Sequence, residues 1–80
     1  MSERSKLLWR CRRGMKEMDL VLLAYLDKHY DQADAIEKQA FIDILELQDP
    51  DLFAYLIGRQ SPADPAHQHV LEKIRTSFSA

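Results

Sequence analysis

The sequence predicts an all-α protein, a compact five-helix bundle that forms a single domain over residues 1–80. Apolar residues recur at helical spacing along five segments, and no segment has a convincing strand pattern. The two glycines and three prolines lie at or between the ends of those segments, where helices stop or begin. The short loops between the segments favour antiparallel packing of sequential helices.

The first two predicted helices form the N-terminal part of the chain. Helix one covers residues 3–13 and ends at Gly14, because glycine reaches the left-handed conformation that often follows a helix. Helix two runs from about Glu17 to Tyr30 and begins with acidic residues, which the helix dipole favours there. Its apolar run at residues 20–26 also fits a strand, but the segment continues to Tyr30 without glycine or proline. We therefore expect a helix that is buried on most sides.

Capping residues define the other three helices. Helix three opens at Asp34, with Glu37 three residues later as in a capping box. Helix four has Asp49 as its N-cap, a proline at its first position, and Gly58 at its end. Asp64, again followed by proline, repeats this signal at the start of helix five.

The predicted core draws on all five helices. Helix five presents His67, Val70, Leu71, Ile74 and Phe78 at helical spacing. The full predicted core is Leu7, Leu8, Leu20, Leu23, Leu26, Ile36, Ala40, Ile44, Leu52, Leu56, Leu71 and Ile74.

The net charge of -2 hides an uneven distribution. Residues 1–16, the basic arm, contain six basic residues and one acidic residue, which gives +5. Residues 17–80 contain five basic and twelve acidic residues, which gives -7. Such an asymmetry suggests an interaction surface.

Several classes of protein are excluded. The longest apolar run has seven residues, whereas a membrane span needs roughly 20. The N-terminal residues lack the apolar stretch of a signal peptide. Cys11 is the only cysteine, which excludes an internal disulfide and fits a reducing compartment. We therefore expect a cytoplasmic protein without membrane insertion.

Catalytic chemistry has little support in the sequence. His67 and His69 are two residues apart on one helix, so they face different directions and do not share a metal. Cys11 has arginines nearby but no positioned base, and no glycine-rich phosphate loop is present. The sequence therefore predicts neither an enzyme nor a metal site.

The RRGMKE segment after helix one is the strongest candidate site. Gly14 interrupts the helix, so the turn carries Arg13 on one side and Glu17 on the other. In a purely structural interpretation, Gly14 caps helix one and the charges match the helix dipoles. Exposure of Trp9 and Met15 beside the arginines would favour binding, because Trp and Arg are enriched in interface hot spots.

Two motifs at this spacing are similar to those of a known family. The first is RRGMKEMD, preceded by WRC, and the second is DPDLFAYLIG at residues 49–58, followed by PAD at residues 62–64. Together they resemble the SdhE-type FAD assembly factors, with their R-G-x-x-E signature, over about residues 5–75. Members often have tryptophan where Tyr55 stands; both are large amphipathic aromatics, so we expect its packing role to be kept.

The resemblance implies a five-helix bundle and a function. Members of that family promote covalent attachment of FAD to the flavoprotein subunit of succinate dehydrogenase, and of fumarate reductase where present. The residues implied at or beside the contact are Arg13, Gly14, Glu17, Arg12, Met15, Asp19 and Trp9. FAD would belong to the client, and we expect this chain to bind no cofactor stably and to be a monomer on its own.

An alternative from another class is a small nucleic-acid-binding or antitoxin-like regulator that acts through the basic N-terminal helix. Against it, the rest of the chain carries -7 and the pI is about 5.8. No helix presents Asn, Gln and Arg on one face in the manner of a recognition helix. We therefore expect no nucleic-acid partner.

Overall fold

Five α-helices and one short 3-10 helix are present in residues 2–78, which a computed structural model describes apart from the side chain of Phe78. The helices are α1 (Glu3–Cys11), α2 (Lys16–Lys28), α3 (Ala35–Leu45), α4 (Asp49–Leu56) and α5 (Pro65–Phe78), and the 3-10 helix covers Tyr30–Gln32. The predicted all-α five-helix fold is confirmed. The core position predicted for the Phe78 side chain lies outside the described residues, and the single domain over residues 1–80 stays a prediction.

The predicted caps are correct for α3 and shifted by one residue for α4. Asp34 accepts a hydrogen bond from the Glu37 backbone N–H at 2.8 Å, as expected of the N-cap. The N-cap of α4 is Gln48, and Asp49, predicted in that role, is the first helical residue. The carboxylate of Asp49 contacts a distant arginine instead of capping its own helix.

Helices one and two are shorter than the sequence predicts. α1 ends at Cys11 rather than at residue 13, because Arg12 adopts extended backbone angles. α2 ends at Lys28, and Tyr30 lies in the 3-10 helix, where its hydroxyl donates a hydrogen bond to Glu3 at 2.7 Å.

The core lies where α2, α3 and α5 meet, and α5 packs extensively against both other helices. The rings of Tyr25 and Phe41 pack against each other in a tilted arrangement at its centre, with 4.5 Å between their centroids. Tyr55 is partly buried against this core, which confirms its predicted packing role. The buried apolar residues are Leu7, Cys11, Met18, Leu22, Tyr25, Leu26, Tyr30, Ala40, Phe41, Ile44, Leu45, Leu52, Val70, Leu71 and Ile74.

Three residues predicted for the core are exposed. Leu8 is 38% exposed, Leu20 is 41% exposed and Ile36 is 70% exposed, so those predictions were wrong. Each lies on a helix whose buried face is made by other apolar residues. Leu23 and Leu56 are only partly buried at the edge of the core.

Glu37 is a buried charged side chain at the edge of this core. Its carboxylate accepts a hydrogen bond from the Tyr25 hydroxyl at 2.6 Å and lies 3.1 Å from the ammonium of Lys73 and 3.2 Å from Nε2 of His69. Burial opposes ionisation, but these three neighbours together hold the pKa of Glu37 below its ordinary value of 4.5.

This network predicts acid lability. Because the pKa of Glu37 is lower in the folded than in the unfolded chain, its stabilising effect is present above the unfolded pKa. That effect is lost as the pH falls through the folded pKa, so the free energy of unfolding should drop below about pH 4.5. Urea unfolding at several pH values measures this drop. Glu37→Gln, which does not titrate, should show a shallower pH dependence, and equal slopes in the two proteins would contradict the assignment.

Candidate protein-binding site

The turn between α1 and α2 is fixed by hydrogen bonds to its backbone. Gly14 has a φ of +84°, in the left-handed region that favours glycine. The carboxylate of Asp19, in the first turn of α2, accepts hydrogen bonds from the backbone N–H of Arg13 at 2.8 Å and of Gly14 at 3.2 Å. Asp19 therefore holds the turn in one conformation.

The side chain of Arg13 points into the protein, where only 12% of it is exposed. Its guanidinium donates hydrogen bonds to the carbonyl oxygen of Leu47 at 2.6 Å and to that of Leu45, and it pairs with the carboxylate of Asp49 at 3.1 Å. Nε also donates to the carbonyl oxygen of Arg10 at 2.9 Å. Arg13 thus satisfies carbonyl groups at the C-terminal end of α3, which would otherwise lack donors, and ties the turn to the start of α4.

The other predicted site residues are exposed around the turn, namely Trp9, Arg12, Met15 and Glu17. Trp9 is 69% exposed, the largest aromatic side chain of the protein presented to solvent. The side chains of Arg12 and Glu17 form no hydrogen bond or ion pair with the rest of residues 2–78. Trp9 and Arg12 also line one wall of a groove of about 490 Å³, whose other wall is formed by residues 45–47. Of the predicted site residues, Arg13 therefore points into the protein, whereas the side chains around the turn face the solvent.

The positive charge of the basic arm is partly neutralised by ion pairs with acidic residues of the rest of the chain. Three of its arginines form ion pairs: Arg4 with Asp31 at 3.0 Å, Arg10 with Glu46 at 3.6 Å, and Arg13 with Asp49 at 3.1 Å. The side chains of Lys6, Arg12 and Lys16 have no such partner in the part of the chain that the structure describes. The positive charge that remains is therefore concentrated on the exposed side of α1 and at the turn.

The surroundings of Cys11 and His67 are those of residues with a structural role. Cys11 is fully buried, and this burial raises the pKa of its thiol to about 12 although Arg13 acts in the opposite direction. The thiol is therefore protonated and unreactive at neutral pH. Nε2 of His67 lies 3.2 Å from a carboxylate oxygen of Asp43. Residues 2–78 contain no group of three or more His, Cys, Asp or Glu side chains arranged to hold a metal ion.

Sequence reasoning missed two features of this site. It assigned Asp49 to helix capping, and nothing in the local sequence shows that Arg13, 36 residues away, binds the same carboxylate. It also placed Leu8 and Leu20 in the core, although both are exposed on the helices that flank the turn. A helical wheel of α1 centred on Leu7 and Cys11 would have placed Leu8 off the buried face.

The fold and the site together define a class: small helical proteins that present one fixed, exposed turn. An exposed tryptophan next to arginine is typical of a protein-binding hot spot. Apart from Gly14 and its two chain neighbours, no atom lies within 4 Å of the position that a Cβ on Gly14 would occupy, so a partner's surface can approach the turn closely. No helix within the described range is long and apolar enough to cross a membrane.

Comparison with known proteins identifies the family within that class. A family model described as the flavinator of succinate dehydrogenase matches residues 5–78, and the chain belongs to this family. The FAD assembly factor SdhE of Methylococcus capsulatus is 49% identical over 75 residues, which cover 94% of this chain and 90% of that protein. The FAD assembly factor SdhE of Aliivibrio fischeri is 38% identical over 72 residues, covering 90% and 84%. That of Yersinia pseudotuberculosis is 36% identical over 80 residues, covering 100% and 91%. The family predicted from the two motifs is confirmed.

Proposed function

We propose that this chain is an assembly factor that binds the flavoprotein subunit of succinate dehydrogenase and promotes covalent attachment of FAD to it. Membership of the flavinator family supports this function, as do the FAD assembly factors to which the chain is similar. The observation that carries the site is the fixed turn around Gly14, with exposed Trp9, Arg12 and Glu17 beside it.

The mechanism is one of binding and orientation. The covalent chemistry belongs to the flavin and the client protein, as is usual for cofactors that carry their own reactivity. The chain would dock beside the FAD pocket of the client and hold the client's domains in a reactive arrangement, which lowers the entropic part of the barrier. A turn that is already rigid loses little conformational entropy on docking.

All seven predicted residues contribute to this site, in two ways. Trp9, Arg12, Met15 and Glu17 would touch the client, because their side chains are exposed at the turn. Arg13, Gly14 and Asp19 would set the shape of the turn, since the Arg13 guanidinium is bound to carbonyl oxygens of this chain and the Asp19 carboxylate to its backbone N–H groups. In this proposal Arg13 is a positioning residue rather than a direct client contact.

The chain would act as a non-catalytic monomer in the cytoplasm, bind no cofactor stably, and also serve fumarate reductase where that enzyme is present. A pull-down of the tagged protein from its native cells tests the client. Recovery of the flavoprotein subunit of either enzyme is the expected result.

The nucleic-acid alternative is not supported by the family comparison. The structure also weakens its physical basis, because three arginines of the basic arm are engaged with Asp31, Glu46 and Asp49. A gel shift at low salt should show no steeply salt-dependent binding of DNA.

Replacing Glu17 with alanine should lower covalent flavin on the co-expressed client by about tenfold, because an exposed hot-spot side chain is removed without disturbing the fold. Flavin fluorescence of the denatured client band measures this loss. Glu72→Ala, which alters an exposed glutamate on α5, is the matched control and should leave the fluorescence unchanged. Full fluorescence with each of Arg13→Ala, Gly14→Arg and Glu17→Ala would refute the assignment of this site.

A further inference from the structure

Large apolar side chains are exposed unevenly over the protein. Seven such side chains are exposed among residues 2–78, and four of them belong to α1, the following turn or the start of α2. We name these four residues the hairpin patch, after the α1–turn–α2 segment that carries them: Leu8, Trp9, Met15 and Leu20. The other three are Ile36, Phe53 and Ile57, on α3 and at or just beyond α4. Exposed apolar groups that concentrate in one region indicate an interaction site.

Leu8 and Leu20 flank the turn on its two helices. Leu8 precedes Arg12 by one helical turn, and it lines a depression of about 340 Å³ together with Ser5, Trp9 and Arg12. Leu20 follows Lys16 by one helical turn on α2. Each leucine is therefore displaced from the end of the turn by about 6 Å along its helix axis.

Packing of α1 and α2 into the core does not use these two leucines. The face of α1 that packs into the core is formed by Leu7 and Cys11, which are 3% and 0% exposed. The corresponding face of α2 is formed by four other residues, namely Met18, Leu22, Tyr25 and Leu26. Leu8 and Leu20 lie outside both sets, so they are available to a partner.

Charge indicates the chemistry of that partner. Lys6, Arg12 and Lys16 are the bases of the basic arm whose side chains lack a partner within the described residues. Lys6 and Arg12 lie on the same helix as Leu8 or directly after it, and Lys16 lies one turn before Leu20. Exposed apolar side chains next to unpaired cations are complementary to an apolar surface bordered by carboxylates.

We propose that Leu8 and Leu20 extend the client-binding site from the turn onto the outer faces of α1 and α2. The occupant is an apolar patch bordered by acidic side chains on the client flavoprotein. This inference rests on the proposed function, since it assigns the client as the partner. It adds two contact residues outside the signature and predicts that the interface has apolar contacts on both sides of the charged turn.

The test measures binding of the purified chain to the apo flavoprotein subunit by titration calorimetry. Leu8→Ser and Leu20→Ser should each weaken the Kd by about tenfold, as expected of apolar residues inside an interface. Ile36→Ser is the matched control, because Ile36 is more exposed than either leucine but lies on α3; it should bind like the wild type. In titrations at several salt concentrations, Arg12→Gln should reduce the salt dependence of the Kd.

The possible outcomes separate the inference from the function on which it rests. Failure of the wild-type chain to bind the flavoprotein subunit would remove the proposed function and this inference with it. Normal binding by the wild type and by both leucine variants would overturn the inference alone. A concentration-dependent dimer that the leucine variants abolish, with client binding unchanged, would also overturn it, because the patch would then serve a second copy of the chain. Thermal melts check the fold, and Leu8→Ala and Leu20→Ala provide the same comparison if a serine variant is unstable.

Discussion

Replacing Arg13 with alanine is expected to lower the free energy of unfolding by about 3 kcal/mol, the largest stability effect we predict for an exchange at the turn. The change removes a guanidinium that donates to the carbonyl oxygens of Leu45 and Leu47 and pairs with Asp49. These acceptors would be left without their donor in a partly buried position. Urea unfolding followed by circular dichroism at 222 nm measures the loss.

The consequence for activity follows from the small size of the chain. A single hydrophobic core in a chain of 80 residues rarely supplies more than about 3–5 kcal/mol of net stability, so Arg13→Ala should be substantially unfolded at 37 °C. A loss of 3 kcal/mol corresponds to a fall in Tm of about 12–24 °C. Reduced flavinylation by this variant would therefore report a disrupted fold rather than a missing client contact.

Arg12 provides the control for this prediction. It is the adjacent arginine, but it is exposed and its side chain has no partner among residues 2–78. Arg12→Ala should change stability by no more than about 0.5 kcal/mol while still weakening client binding. Arg13→Lys should be intermediate, because lysine keeps the charge but lacks the planar fork. A stable Arg13→Ala variant that has lost only client binding would show that Arg13 is a direct contact.

Replacing Gly14 with arginine is expected to abolish client binding, the largest functional effect we predict. The backbone φ of +84° disfavours any side chain, with a cost of about 1–2 kcal/mol. Apart from Gly14 and its two chain neighbours, no atom lies within 4 Å of the new Cβ, so the side chain would project outward from the turn. It would then occupy the space that a partner needs for close approach.

Gly58 makes it possible to separate strain from obstruction. It has a φ of +81° and, like Gly14, no atom beyond its own residue and its two chain neighbours within 4 Å of an added Cβ, but it lies just after α4. Gly58→Arg should therefore carry a similar stability cost and leave client binding intact. Calorimetric titration of both variants with the apo flavoprotein subunit measures the difference. Equal losses of binding in the two variants would mean that strain alone explains the effect.

The fold could be predicted because its determinants are local. Asp34 and the prolines mark helix starts, and the spacing of apolar residues marks helical segments. The assignment of Leu8, Leu20 and Ile36 to the core failed for a physical reason. In a helix with many apolar residues, the buried face depends on where neighbouring helices pack, and a single sequence does not contain that information.

The sequence predicts where the site lies along the chain, but not which of its side chains point into the protein. The turn around Gly14 was predicted from a glycine that interrupts a helix between charged residues, and its positive φ confirms the turn. The inward direction of Arg13 could not be predicted, because its acceptors are mainly backbone carbonyls 32 and 34 residues away. Carbonyl oxygens occur at every position and carry no sequence signal. Asp49 lies at the start of a helix, where an acidic residue is expected, so its position in the sequence does not indicate that it pairs with Arg13.

The contacts that Arg13 makes across the bundle determine when the turn takes its final shape during synthesis and folding. The turn lies near the N-terminus, but the groups that hold Arg13 belong to the end of α3 and the start of α4. During synthesis, residues 12–15 are made before those groups. The surface that we assign to the client is therefore completed only after residues 45–49 have been made and have packed against the turn. A nascent or partly folded chain would expose Trp9 before Arg13 has fixed the turn. Binding of the client is therefore coupled to complete folding of the bundle.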